Sequence, residues 1–159
     1  MQPDTPEQYT TDRFPCWMIV KPGTPGSYYG FPAMRPGEAG GPAGIKVALH
    51  HPGQSTTAST IDRTIQPEDL DHIVSFTQDY LPGAGTVVTD TATCMYSNSP
   101  DEHFIIDHLP GTDKQVTVAW GFSGHGFKFV SVVGEVLADL VVDGRAELDV
   151  DFLRMGRLG

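Results

Sequence analysis

The sequence predicts an α+β fold in which antiparallel strands and one helix precede a strand, a glycine-rich turn and a second helix. Short runs of β-branched and aromatic residues, separated by Pro-Gly turns, fill most of the first third of the chain. One helical pattern begins at Pro67, and another follows the turn at 121–127. Because the strand-turn-helix unit comes last, we expect a boundary near Pro100 that separates residues 1–100 from residues 101–159.

The first strands are expected near the amino terminus, after a polar and loosely structured entry segment. CWMIV at 16–20 and SYYGF at 27–31 flank the turn KPGTPG, and IKVALHH at 45–51 follows a loop rich in glycine and proline. Alternation along the third strand puts Lys46 and His50 on one face, and the isoleucine, valine and leucine side chains on the other.

A helix is predicted from Pro67 to the Pro-Gly stop that follows Leu81. Proline suits the first helical position, and Glu68 and Asp69 suit the positive end of the helix dipole. Leucine, isoleucine, valine and tyrosine recur at spacings of three and four along it.

Three more strands and a second helix complete the prediction. The strands are expected at 86–96, 104–109 and 116–122, the last two joined by the turn PGTDK. The final helix, from about 126 to 142, carries a wide apolar face and stops at Gly144.

Composition excludes several classes of function. The formal net charge of −10 opposes binding to nucleic acid. The chain has no run of about 18 apolar residues and no signal-peptide pattern, so we expect a cytoplasmic protein without membrane association. Its six histidines are scattered and its two cysteines form no CxxC pair, so no metal site is expected.

Local patterns leave three candidate sites open. Cys94 lies in a predicted strand, where a lone cysteine is usually a small buried hydrophobe, and Tyr96 would share its strand face. Lys46 either faces solvent on an edge strand or points, with His50, into a cavity bounded by side chains such as Met18, Tyr28 and Tyr29. The glycine turn at 121–126 either receives an anion or electron-rich group at the helix start or simply packs the helix on the sheet.

Five segments together resemble the flavin-dependent amine oxidases typified by monomeric sarcosine oxidase and N-methyl-L-tryptophan oxidase, of the D-amino-acid-oxidase-like superfamily. These are YYGFP, GIKVALHHPGQ, TCMYSNSPDEHFIIDHLPG, GFSGHGFKF and VVGEVLADLVVDG. The resemblance runs from Tyr28 to the end and concerns the carboxy-terminal portion of the family. It implies that residues 1–100 belong to a substrate-binding domain and residues 101–159 to the βα part of a Rossmann-like FAD-binding domain.

The resemblance also assigns roles to residues. It implies that Cys94 attaches FAD covalently and that Lys46 lies by the flavin and activates dioxygen. Tyr29, His50 and Tyr96 match residues of the substrate pocket. Lys128 matches the lysine that pairs with the substrate carboxylate. The turn around it matches the segment packed along the flavin, which comprises Phe122, Ser123, Gly124, His125 and Gly126.

The activity implied is oxidation of a secondary amine, an N-methyl amino acid such as sarcosine, by dioxygen to an imine and hydrogen peroxide. The amino-terminal GxGxxG unit of the family is absent from this sequence. We therefore expect a missing amino-terminal half or self-association to cover apolar faces such as Val136, Leu140 and Val141. Two alternatives stay open: a non-catalytic fragment or interaction module that binds no flavin, and an oxidase of a larger N-alkyl or cyclic amino acid.

Overall fold

The computed structural model describes residues 1–23, 26–35, 37, 41–50 and 53–159. His51, and parts of the two loops predicted before the second and third strands, lie outside the described residues. The chain divides into two compact units, Met1–Thr93 and Cys94–Gly159. The division falls shortly before Pro100, and the roles of the two parts stay predictions.

The first unit contains a three-stranded antiparallel sheet in the order β1-β2-β3. The strands are β1 (Trp17–Ile19), β2 (Ser27–Met34) and β3 (Gly44–His50). Met18 pairs with Tyr29, which in turn pairs with Ala48, and Phe31 pairs with Lys46. These pairs confirm the three strands predicted from the sequence and fix which side chains share a face.

One helix, α1 (Pro67–Tyr80), covers one face of this sheet. At its start the Asp69 carboxylate accepts a hydrogen bond of 2.8 Å from the Gln66 N–H, which is half of a capping box. Its Phe76 ring stacks on Tyr28 with a centroid distance of 3.8 Å and an interplanar angle of 7°. The predicted helix is confirmed, and its aromatic stack anchors the first core.

The amino-terminal segment is part of that core, and the expectation of a loose entry segment is wrong. Met1 and Tyr9 are buried together with Tyr28 and Phe76. The Tyr9 hydroxyl donates to the Pro82 carbonyl oxygen at 2.8 Å, and the Ile45 N–H donates to the Met1 carbonyl oxygen at 2.9 Å. The burial of Met1 and Tyr9 therefore orders this segment, although most residues around them are polar.

The strand predicted at 86–96 is not formed. Its residues contribute one isolated bridge, between Val87 and Gln2, and no ladder. Most of them are exposed, although Val88 packs against the first core, and among the described residues no second strand pairs with this β-branched segment. The expectation that Cys94 and Tyr96 share a strand face falls with it.

The second unit combines a hairpin with a helix. The strands β4 (Ile105–His108) and β5 (Thr117–Trp120) pair antiparallel, with Ile105 opposite Trp120. After the glycine turn, a 3₁₀ turn at Phe127–Phe129 leads into α2 (Val130–Val142). Two further 3₁₀ turns, Asp151–Leu153 and Met155–Leu158, end the chain. The predicted hairpin and helix are confirmed.

The core of this unit corrects the expectation for the second helix. Val136 and Leu140 are buried against Phe104, Ile106 and Leu153, so they already have partners. Val141 is exposed, and its covering by a further segment or a second copy stays a prediction. Within the described ranges, no helix combines the length and apolar character needed to span a bilayer.

Candidate functional site

In the first unit the sheet face opposite α1 carries the predicted pocket residues. The register places Tyr29 and Phe31 on this face with Lys46 and His50, because directly paired residues point to the same side of a sheet. Tyr28 points the other way and is buried on Phe76. Tyr28 is therefore a core residue, and its proposed place in the wall beside Lys46 is wrong.

Lys46 lies between two aromatic rings. Its Nζ is 4.9 Å from the Tyr29 ring centroid and 5.1 Å from that of Phe31. Ring faces attract a cation at such distances, so the two rings hold the ammonium above the sheet. Lys46 is exposed within its unit, on the edge strand β3.

His50 completes this group. Its ring meets the Tyr29 ring edge-on, with centroids 6.0 Å apart and an interplanar angle of 88°. The structure therefore brings Tyr29, Lys46 and His50 together on one sheet face, with Phe31 as a fourth member. This face offers a positive charge and amphipathic rings to a ligand laid on the sheet.

In the second unit Cys94 begins the site. Its thiol is free, and the residue is exposed, so the interpretation as a small buried hydrophobe is wrong. No neighbouring strand among the described residues covers Cys94, because the segment before it does not form a strand. An exposed thiol is open to covalent modification.

Tyr96 packs on the glycine turn. A methyl group added to Gly124 would lie 2.6 Å from the Cε2 atom of Tyr96, which is closer than carbon atoms approach without displacement. Gly124 also has a φ of 75°, in the left-handed region. Two features therefore require glycine at this position: the left-handed backbone conformation and the closeness of the Tyr96 ring.

We expect Gly124→Ala to lower the free energy of unfolding by roughly 2–4 kcal/mol, from left-handed strain plus the collision with Tyr96. Gly144→Ala is the matched control, since Gly144 has a φ of 71° and open space around its Cα. Gly144→Ala introduces only the left-handed strain, so its free energy of unfolding should fall by about 1 kcal/mol. Urea unfolding of both variants measures the difference, and equal losses would contradict the contact between the turn and Tyr96.

The rest of the turn packs around one phenylalanine. Phe104 contacts Phe122, His125 and Phe129, with ring centroids 5.0, 4.9 and 5.2 Å apart. Gly126 lies directly beside the Phe122 ring. Phe122 and His125 therefore pack against Phe104 within this unit, and their contact with a flavin stays a prediction.

Lys128 lies just beyond the turn on the surface. Its Nζ donates to the His125 carbonyl oxygen at 3.0 Å and lies 5.0 Å from the Phe129 ring centroid. An ammonium carries three protons, so this bond accounts for one of them. The side chain is exposed, which suits a residue that meets a charged ligand.

Ser123 is buried and conformationally strained. Its φ of 48° is uncommon for a residue with a Cβ. Its N–H donates to the Ser97 carbonyl oxygen at 3.0 Å, and its Oγ accepts from the Ser99 N–H at 3.3 Å and donates to the Gly121 carbonyl oxygen at 3.0 Å. The hydroxyl and the N–H of Ser123 are thus both engaged inside the protein, and its contact with a flavin stays a prediction.

A salt bridge closes the neighbouring turn and was missed by sequence reasoning. Arg157 Nε lies 2.7 Å from Asp101 Oδ2, and Nη2 lies 3.0 Å from Oδ1. The hydrogen bonds from Arg157 hold the pKa of Asp101 well below its usual range. No local signal predicts a pair separated by this much chain. Within the described ranges, acidic, histidine and cysteine side chains form no group of three or more suited to a metal ion.

Comparison with known proteins identifies the relatives of this chain. A monomeric sarcosine oxidase from Arthrobacter sp. (strain TE1826) is 41% identical over 156 residues, which are 97% of this chain and 38% of the relative. An N-methyl-L-tryptophan oxidase from Escherichia coli O1:K1 / APEC is 40% identical over 133 residues, 82% of this chain and 33% of the relative. The chain thus spans little more than a third of the length of these curated relatives.

A solved structure supports the mixed arrangement of sheet and helices. The open form of NikD, described as an unusual amino acid oxidase essential for nikkomycin biosynthesis, superposes with a TM-score of 0.62. The match covers 88% of this chain and 37% of the NikD chain at 23% identity, so it bears on the fold alone. The family model described as FAD dependent oxidoreductase matches residues 9–140. The chain therefore belongs to the FAD dependent oxidoreductase family.

Proposed function

We propose that this chain is the carboxy-terminal part of an oxidase that converts an N-methyl amino acid such as sarcosine, with dioxygen, to an imine and hydrogen peroxide. The observation that carries the proposal is the 41% identity, across nearly the whole chain, to a protein named monomeric sarcosine oxidase. In this proposal the second unit is the βα part of a Rossmann-like domain. The amine loses two electrons and two protons, which dioxygen takes up, and water then hydrolyses the imine to an aldehyde and the free amine.

The residues of this chain fit a flavin. Bound FAD would supply a two-electron acceptor that can be reoxidised by dioxygen. Cys94 offers an exposed thiol for a thioether, and Tyr96, two residues after it, packs on the exposed turn at Gly124. We propose that Cys94 holds the cofactor and that the glycine turn lies along it.

Lys46 is the proposed oxygen-activating group. Negative charge develops on dioxygen as it is reduced, and a fixed cation lowers the energy of that charge when water is excluded. The rings of Tyr29 and Phe31 restrict the ammonium to one side of the sheet, so it needs little reorganisation when the reaction begins.

Substrate orientation is assigned to the remaining residues. Lys128 would pair with the carboxylate of the amino acid through the protons that its bond to His125 does not use. Tyr29 and His50 of the first unit would present amphipathic ring surfaces to the N-methyl group and the amine. Tyr96 of the second unit is proposed as a further substrate contact. Holding the C–H bond in one geometry supplies much of the rate enhancement in such reactions.

A further polypeptide segment is proposed to complete the protein. The second unit has an open apolar cavity of about 350 Å³, lined among others by Phe104, Val132 and Phe152. Phe127, which precedes the lining residue Lys128 in the sequence, is almost fully exposed. We propose that an amino-terminal segment, from the part of the relatives' length that this chain does not span, covers this surface.

The test is flavin content. The 159-residue chain is purified alone and after coexpression with the unmatched amino-terminal part of the Arthrobacter relative. We expect visible flavin absorbance in the coexpressed sample, and flavin that stays with the polypeptide after denaturation. Sarcosine should then bleach the absorbance without air, and N-methyl-L-tryptophan and a cyclic imino acid serve as alternative substrates.

The outcomes separate the hypotheses. Absence of flavin in both samples favours the non-catalytic module and overturns the proposal. Flavin that is bleached only by the larger amines keeps the oxidase and changes its substrate. Sedimentation of the chain alone shows whether a second copy covers the apolar surface, and a stable monomer would contradict self-association.

A further inference from the structure

A chain of polar contacts links the last turn of the protein to the glycine turn of the candidate site. It begins at Arg157, whose guanidinium grips Asp101 with two nitrogens, at 2.7 and 3.0 Å, and also donates to the His103 carbonyl oxygen at 3.1 Å. The Arg157 side chain is 17% exposed and that of Asp101 34%. Because the planar guanidinium bonds to two carboxylate oxygens and one carbonyl oxygen, it fixes the position of the Asp101 side chain as well as neutralising its charge.

The Asp101 carboxylate, held by Arg157, also accepts hydrogen bonds from the turn at 99–103. Its Oδ1 accepts from the His103 N–H at 3.2 Å and lies 3.1 Å from the hydroxyl of Ser99. The same hydroxyl lies 2.6 Å from the His103 carbonyl oxygen, so its single proton has two acceptors within reach. The turn is thereby closed around one carboxylate.

The closed turn in turn constrains Ser123. The Ser99 N–H donates to Ser123 Oγ, and the Ser97 carbonyl oxygen accepts from the Ser123 N–H. A serine with a φ of 48° persists only where its surroundings over-determine the conformation. The next residue is Gly124, on which the Tyr96 ring rests. The contacts therefore run without a break from Arg157 to Tyr96.

We propose that Arg157 is a positioning residue: through Asp101 and Ser99 it holds Ser123 in the left-handed conformation that sets the glycine turn against Tyr96. Arg157 touches none of the residues assigned to the substrate or the flavin, and acts through others. The functional consequence rests on the proposed flavin site, whereas the effect on Ser123 does not.

The test compares Arg157→Lys with Arg154→Lys. Lysine keeps the charge but cannot make the two-nitrogen grip. The control removes a neighbouring arginine whose pair with Asp151, at 2.7 Å, joins side chains that are 57% and 72% exposed, so little stability depends on it. The first readout is hydrogen exchange of the Ser123 amide, measured by NMR on the full chain without added cofactor.

We expect Arg157→Lys to speed exchange at Ser123 by about tenfold, the loss expected for a charged hydrogen bond. Exchange at amides of the β4–β5 hairpin should not change, and Arg154→Lys should leave both unchanged. Equal exchange at Ser123 in the two variants, or a uniform rise over the hairpin, would overturn the proposal. If Arg157→Lys does not fold, Asp101→Asn, which keeps the shape and removes the charge, takes its place under the same criteria.

The second readout is the visible circular dichroism of flavin in the coexpressed protein. A displaced glycine turn should change the sign or intensity of this signal in Arg157→Lys and not in Arg154→Lys. An unchanged signal with faster exchange at Ser123 would overturn the functional role of Arg157. A lack of flavin in every variant, wild type included, would instead refute the proposed function, and the exchange result would still decide whether Arg157 positions Ser123.

Discussion

Replacement of Cys94 by alanine is expected to abolish covalently held flavin, from near-complete labelling in the unsubstituted protein to none. Only a thiolate among the groups proposed for this site forms a thioether, and alanine supplies no sulfur. The measurement is flavin fluorescence of the polypeptide after denaturation and gel separation, with mass spectrometry of the intact chain. Cys94 is free and exposed, so its thiol is open to modification.

The other cysteine of the chain gives a matched control. Cys16 is also free and exposed, and it precedes β1 in the first unit. Cys16→Ala should retain all covalent flavin. If both variants lose it equally, or if Cys94→Ala keeps it, the attachment point is elsewhere and the assignment of Cys94 is wrong.

Replacement of Lys46 by methionine should slow reoxidation by dioxygen about 10²–10³-fold, the usual cost of removing one group that stabilises developing negative charge. Reduction by the amine should change by less than about tenfold, because dioxygen, on which Lys46 is proposed to stabilise developing charge, takes no part in that step. Methionine keeps most of the length of the side chain and removes the charge that lies beside the Tyr29 and Phe31 rings. Stopped-flow absorbance of the two half-reactions in the coexpressed protein measures both rates.

Two controls sharpen this comparison. Lys46→Arg keeps a cation between the rings and should restore much of the reoxidation rate. Lys21→Met removes the lysine that lies 5.5 Å from the Tyr80 ring centroid, also in the first unit, and should change neither rate. Equal slowing of both half-reactions by Lys46→Met would contradict a specific role with dioxygen.

Local chemistry made much of the fold predictable. Pro67 with acidic residues after it predicted the start of α1, and the turn PGTDK between two β-branched runs predicted the β4–β5 hairpin. Period-two alternation also placed Lys46 and His50 on one strand face, to which the register adds Tyr29. In each case the signal lies within a few residues, which is the range over which propensity and pattern act.

Predictions failed where long-range contacts decide. The segment 86–96 has strand composition, but a strand exists only if another segment pairs with it. The burial of Tyr9 depends on a helix that begins more than 50 residues further along the chain. The salt bridge between Arg157 and Asp101 likewise joins two turns that are far apart in the sequence. The strain at Ser123 could not be predicted from the sequence, because serine rarely adopts a φ of this sign and therefore gives no signal of it.

The distribution of indole rings between the two units gives each unit its own optical probe. The chain contains two tryptophans. Trp17 stacks on Phe76 in the first unit, with centroids 5.9 Å apart, and Trp120 lies partly exposed on β5 in the second. Fluorescence of single-tryptophan variants would therefore report the melting of each unit separately, so a segment that binds only the second unit would reveal itself through Trp120 alone.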